Sequence, residues 1–130
     1  MELEFLTPQA SLEKTTTNEV TAPGIFGEFG ILPGHAAYLT ELGVGRVVFQ
    51  NASGKEQQFI IRGGYAEAFK DQITLMTEEA IAVEAIDKAQ AQQKLKEVEA
   101  QLEKTDPLSV ESSILRQQAQ YLENQIAAAR

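Results

Sequence analysis

The sequence predicts an all-β N-terminal sandwich over residues 1–84, followed by a C-terminal antiparallel two-helix hairpin over residues 85–130. Three observations carry this reading. All nine glycines fall between Gly24 and Gly64, and none follows. Short apolar stretches ahead of residue 80 alternate with period two, the pattern of half-buried strands. From about Ala80 the chain turns rich in Ala, Gln, Glu, Lys and Leu, which are strong helix formers. No strand–helix–strand alternation appears, which argues against a doubly wound nucleotide fold.

The front elements follow in order. Leu3 and Phe5 alternate with Glu2 and Glu4. Thr15, Thr16, Thr17 and Val20 are β-branched and suit a strand with one wet face. The run P-G-I-F-G-E-F-G-I-L-P-G-H, Pro23 to His35, combines glycines that reach unusual backbone angles with prolines that fix φ. It reads as a rigid, repeatedly turning segment that buries Ile25, Phe26, Phe29, Ile31 and Leu32. No Lys-Ser or Lys-Thr follows its glycines, and the Gly27-to-Gly30 spacing does not fit a phosphate-binding fingerprint. Val47 and Phe49 alternate, Asn51-Ala52-Ser53-Gly54 turns, and Phe59 and Ile61 alternate on the way back, so residues 46–62 predict a hairpin. Gly63-Gly64 is expected to break that strand. Tyr65, Glu67 and Phe69 continue on a new one, Lys70-Asp71 turns, and Ile73 and Leu75 alternate again.

The back elements carry helical spacing. Asp87 with Gln90 three residues on fits a capping box in its Asp form. Ala91, Leu95, Val98 and Leu102 then form one stripe. Thr105-Asp106-Pro107 ends the first helix and can start the second, with Asp106 as N-cap and Pro107 at the first helical position. Leu108, Leu115, Leu122 and Ala129, with Ser112, Ala119 and Ile126 between them, make the facing stripe. At about 1.5 Å per residue the two helices would be about 27 and 37 Å long. So few large seam residues are expected to need a platform, either the chain's own β domain or a partner.

Composition narrows the function classes. The formal net charge is −8, with five basic and eleven acidic side chains in residues 1–83 and six and eight in residues 84–130. No basic stripe is visible, which argues against nucleic acid and against anionic lipid. There is no cysteine, so disulfides, Cys–zinc sites and thiol chemistry are excluded. No apolar run approaches the roughly 20 residues of a membrane span, so no direct membrane insertion is expected. The start, Met-Glu-Leu-Glu-Phe, has neither a basic n-region nor an Arg-rich character, and the chain is expected to stay in the compartment where it is made. His35, the sole histidine, is the obvious general base for an enzyme, but a lone histidine in a turn reads more simply as a packing or interface residue. Glu78-Glu79 is expected to point to opposite faces of its strand. No catalytic group, metal site or cofactor is expected.

Against this frame stands an ordered set of motifs. Gly27, Gly30, Leu32, Pro33, Gly34, His35 and Ala36 match a pattern close to G-x-x-G-x-L-P-G-H-A. Thr40, Leu42 and Gly45 fit T-x-L and its following glycine, and Gly63-Gly64 with Glu67 fits G-G-x-x-E. I-T-L-M-T-E-E-A is similar to V-T-V-L-A-D-x-A, and Ile86-Asp87 starts I-D-x-x-R-A. In these residues, from 27 to 91, the sequence resembles the ε subunit family of F-type ATP synthases.

The resemblance implies a sandwich of about ten strands and two antiparallel helices. It implies a non-catalytic rotor subunit of the central stalk that binds the γ subunit and the c-ring and couples ion translocation, proton or sodium, to ATP synthesis. The hairpin would reach toward the catalytic β and the α subunits and restrain hydrolysis. Leu32, Pro33, Gly34, His35 and Tyr38 become candidates for the γ and c-ring interface. The implied place is the cytoplasmic face of a bacterial plasma membrane, peripheral, in preference to a plastid thylakoid. Family members that bind regulatory ATP use an arginine where this chain has Gln90, which brings no guanidinium fork for phosphate. A weak site at Ile86, Asp87 and Ala91 is what remains of that pattern. The alternative is a freestanding nucleotide-sensing module.

Overall fold

In the computed structural model, residues 1–34 and 37–130 are described. Among them the period-two segments become eight strands: β1 (Glu2–Leu6), β2 (Ser11–Thr16), β3 (Val20–Gly24), β4 (Gly27–Ile31), β5 (Tyr38–Glu41), β6 (Val44–Gln50), β7 (Glu56–Phe69) and β8 (Gln72–Ala82). They run in the order β2-β1-β8-β7-β6-β3-β4, with β5 also paired to β7. The β1–β8 ladder is parallel, and the other strand ladders are antiparallel. The sheet folds over on itself, so that Leu3 and Phe5 of β1 meet Val47 and Phe49 of β6 and Phe59 of β7 in one core. The Phe5 ring lies 4.8 Å from Phe59 and 6.5 Å from Phe49, within the range of favourable aromatic pairing.

The resemblance implied about ten strands; the described residues form eight because β7 and β8 are long, at 14 and 11 residues. The expected break at Gly63-Gly64 is instead a corner inside β7. Up to Arg62 the strand pairs with β6, and from Tyr65 it pairs with β5. Gly63 and Gly64 take φ of +71° and +116°, which turns the ladder without ending it. Gly63 N–H donates to the Gly43 carbonyl at 3.0 Å, and Leu42 N–H to the Gly64 carbonyl at 2.8 Å.

The corner also exchanges faces. Before it, Phe59 and Ile61 point into the core; after it, Ala66 and Ala68 do, and Tyr65 and Phe69 stand outside. β8 changes face beside it, with Ile73 and Leu75 buried in the core and then Ala80 and Ala82 packed against it. The expectation that Glu78 and Glu79 point apart therefore fails. Both carboxylates reach Arg62, at 3.1 and 2.7 Å.

Burial of the Pro23–His35 run is likewise partial. Ile31 is buried and Phe29 half-buried, but Ile25, Phe26 and Leu32 are 51%, 99% and 53% exposed. Gly24 pairs directly with Gly27, so Ile25 and Phe26 are the two turn residues of a tight hairpin with no chain beyond to cover them. The other turns form as read. Asn51 Oδ1 accepts from Ser53 N–H and Lys55 N–H at 3.1 and 3.0 Å. Lys70 and Asp71 both adopt positive φ, 48° and 61°, as a two-residue hairpin turn requires.

A short 3-10 turn, Val83–Ala85, leads to α1 (Lys88–Glu103) and α2 (Val110–Ala128). Asp87 caps α1, its carboxylate accepting from Gln90 N–H at 3.1 Å. α2 starts later than expected. Asp106 accepts from Leu108 N–H at 3.0 Å in a turn, and Ser109 is the N-cap, accepting from Ser112 N–H at 3.0 Å. Ser at this place satisfies an orphan helix donor as well as Asp would. The helices, 16 and 19 residues, are accordingly about 24 and 28 Å long. Leu108, outside the helix, is 94% exposed and leaves the seam to Ala91, Val98, Leu115, Ala119 and Leu122, flanked by Leu95, Leu102 and Ile126.

The platform is the chain's own sandwich. Tyr121 and Ala128 of α2 pack with Ile60 and Val83, flanked by Val44, Ile81 and Ile86. Burial, then the nearby Glu79 carboxylate, push the Tyr121 hydroxyl up to about 12, with Arg62 acting the other way.

Candidate functional site

Beyond the corner, the outer face of the sheet carries large apolar side chains in the open. Leu39 of β5, Tyr65 and Phe69 of β7 and Met76 of β8 are between 38% and 64% exposed. The register sets Tyr65 beside both Met76 and Glu41, and Leu39 beside Glu67. Large apolar side chains exposed together beside carboxylates are a common form of protein contact surface. Its composition follows from the corner: Ala66 and Ala68 are turned inward, and the bulky residues are left outside.

Leu32 and Gly34 of the predicted interface loop share a small recess with Ala68 and Ile73, on the inner side of β7 and β8. Leu32, Pro33 and Gly34 are exposed, and Gly34 has φ +79°. Tyr38 begins β5 opposite Ala68, and its ring meets Phe29 edge-on at 6.5 Å and 74°. Burial pushes the Tyr38 hydroxyl above its ordinary value. His35 and Ala36 lie outside the described residues. Leu39 and Met76 were not singled out by the sequence reading. The signal that could have found the face is the alternation of Tyr65 and Phe69 with Ala66 and Ala68, in which the small residues take the core.

The weak nucleotide pattern is dispersed. Ile86 is half-buried against the hairpin dock, Asp87 is committed to capping α1, Gln90 is exposed, and Ala91 is buried in the helix seam. A groove of about 520 Å³ does lie between β8 and the hairpin, lined in part by Glu79, Lys94, Glu97, Gln101 and Gln125. Its charged side chains are two carboxylates and one ammonium, a poor match to a polyphosphate. A second cleft, about 660 Å³, opens between the β2–β3 connection and the β6–β7 turn and has hydroxyl, amide and carboxylate groups but no cation in its lining. Among the described residues, no group of three or more acidic, histidine or cysteine side chains could hold a metal. Among the same residues no helix is long and apolar enough to cross a membrane.

Residues 1–83 match the family model described as the ATP synthase delta/epsilon chain, beta-sandwich domain. The chain belongs to the ATP synthase delta/epsilon chain family. Relatives within it include the ATP synthase epsilon chain of Desulforapulum autotrophicum, 41% identical over 78 residues, which span 60% of this chain and 58% of that one. The epsilon chain of Geotalea uraniireducens is 35% identical over 107 residues, 82% of this chain and 77% of the relative. That of Geobacter sulfurreducens is 34% identical over the same length and shares.

The architecture recurs in solved structures of ATP synthases. A chain of the Euglena gracilis mitochondrial ATP synthase, solved with OSCP, F1 and c-ring, has a TM-score of 0.77 at 24% identity, covering 97% of this chain and 79% of that one. A chain of the Tetrahymena thermophila mitochondrial enzyme, in its central stalk and c-ring, scores 0.59 at 18% identity, covering 97% and 96%. These likenesses concern the fold. In delta/epsilon-chain terms, residues 1–83 are the beta-sandwich domain, and α1 and α2 follow it as a hairpin.

Proposed function

We propose that this protein is the epsilon-type subunit of an ATP synthase central stalk, non-catalytic, bound to the γ subunit and to the c-ring. There it couples rotation of the ion-driven ring to ATP synthesis. The observation that carries the reading is the family match over residues 1–83, joined by 35% identity to an epsilon chain over 107 residues. The exposed face of Leu39, Tyr65, Phe69 and Met76 is the proposed contact with γ and the ring, and Leu32, Pro33, Gly34, His35 and Tyr38 are proposed for the same contact on the strength of the motif they belong to. The subunit is peripheral, on the cytoplasmic side of a bacterial plasma membrane, and the hairpin is its regulatory part toward the β and α subunits.

The test is reconstitution. An ATP synthase stripped of its own epsilon chain, in inverted vesicles, regains ATP-driven ion pumping when this protein is added. Failure to bind the stripped complex at micromolar protein would sink the reading. The competing function, a freestanding nucleotide sensor, requires micromolar binding of Mg-ATP by the isolated chain. Dispersal of Ile86, Asp87 and Ala91, together with the two carboxylates of the β8–hairpin groove, speaks for weak binding or none. Calorimetry on the full chain separates the two.

A further inference from the structure

The outer stripe of α2 runs through Val110, Ile114, Gln117, Tyr121 and Ala128, and only its C-terminal half is docked. Tyr121 and Ala128 are buried against the sandwich, while Ile114 and Val110 are 55% and 77% exposed. Gln117 marks the point where the helix leaves its platform. There Arg62 Nη1 donates to Gln117 Oε1 at 3.1 Å. Among the described residues this is the polar side-chain bond that joins hairpin to sandwich.

The rest of the Arg62 guanidinium is held by the sandwich itself. Nε and Nη2 donate to Glu79 Oε1 at 3.1 and 2.7 Å, and Nη1 also pairs with Glu78 Oε2 at 3.1 Å. Glu78 lies over Gly63, where an added Cβ would stand 3.3 Å from the Glu78 carboxyl carbon. The Arg62 side chain is only 17% exposed. A cation this enclosed would lock the hairpin down if the hairpin supplied its counter-charge, because undocking would strand it. The hairpin supplies a neutral amide instead.

We propose that Arg62 is the latch of a releasable hairpin. It fastens α2 through Gln117 while Glu78 and Glu79 keep its charge balanced, so α2 lifts off without leaving an unpaired buried cation. Arg62 is thus a positioning residue for the hairpin. The inference concerns this chain alone and stands whichever assembly the chain joins.

Amide hydrogen exchange on the full chain tests it. Because the seam between α1 and α2 is thin, lifting the hairpin exposes both helices to exchange. Gln117→Ala is expected to speed exchange in α1 and α2 at least threefold, leaving the β6, β7 and β8 amides unchanged. Arg62→Ser is expected to speed the same helices, and the double variant to be no faster than the faster single one. Additive effects of the two substitutions would overturn the latch. So would unchanged hairpin exchange in Gln117→Ala, or loss of strand protection in that variant, which would make the bond part of the fold. Should Arg62→Ser disturb the sandwich, Gln117→Ala decides by itself, since Gln117 lies on the helix.

Discussion

Tyr65 stands directly opposite Met76 across the β7–β8 ladder, and both side chains point away from the core, 49% and 38% exposed. A cross-strand pair of this kind stabilises a sheet through contact between its own two side chains. Here the outer side of the pair is open to solvent, which fits a surface kept for another chain.

Met76→Glu is therefore expected to weaken γ binding more than tenfold, or by more than about 1.4 kcal/mol. Intrinsic stability should shift by less than about 0.5 kcal/mol, as for an exposed position. Titration calorimetry against γ and a thermal melt of the isolated chain read the two quantities. Equal losses in both would mean that the face is structural.

Gly64→Ala is expected to cost about 2–4 kcal/mol, because it adds backbone strain to a steric clash. Its φ is +116°, and a Cβ would drive into the Met76 carbonyl. Gly27→Ala shares the positive φ, +127°, but meets open space. It should cost about 1 kcal/mol from strain alone. Urea unfolding of the two variants gives the comparison, and equal costs would remove the packing argument at the corner.

Tyr121 is expected to ionise late. Its folded value, pushed up to about 12, exceeds the ordinary 10.0. The unfolded chain thus loses this proton first. The associated stability is fully present below pH 10 and is lost as the pH rises toward 12. The unfolding free energy measured between pH 9 and 12 should fall more steeply in the natural chain than in Tyr121→Phe. Parallel curves would show that the hydroxyl is not enclosed.

A chain ending at Glu84 is expected to fold alone. The core of Leu3, Phe5, Val47, Phe49 and Phe59 is complete without the helices. It should unfold cooperatively with β-type circular dichroism and still join the complex, and ATP hydrolysis should rise only slightly. A non-cooperative melt would move the boundary. A large rise in hydrolysis would assign inhibition to apolar packing of the hairpin, since α2 carries few cations.

The sequence by itself determined the strand-then-helix layout, the Asn51–Gly54 and Lys70-Asp71 turns, the Asp87 cap and the apolar seam of the helix pair. Each is written in spacings of two to four residues, the range over which backbone geometry acts directly. The ordered motifs from Gly27 to Ala91 carried the family as well. Tertiary structure decided what depends on contacts between distant segments. The parallel β1–β8 pairing is one such feature. The corner at Gly63-Gly64 is the clearest case: two glycines that look like an ending exchange the faces of β7 and β8. That exchange puts alanines inside, sets Tyr65, Phe69 and Met76 outside, and brings adjacent Glu78 and Glu79 to one guanidinium. Periodicity marks which residues alternate, but the sign of the alternation at a corner is set by the layer that packs against it.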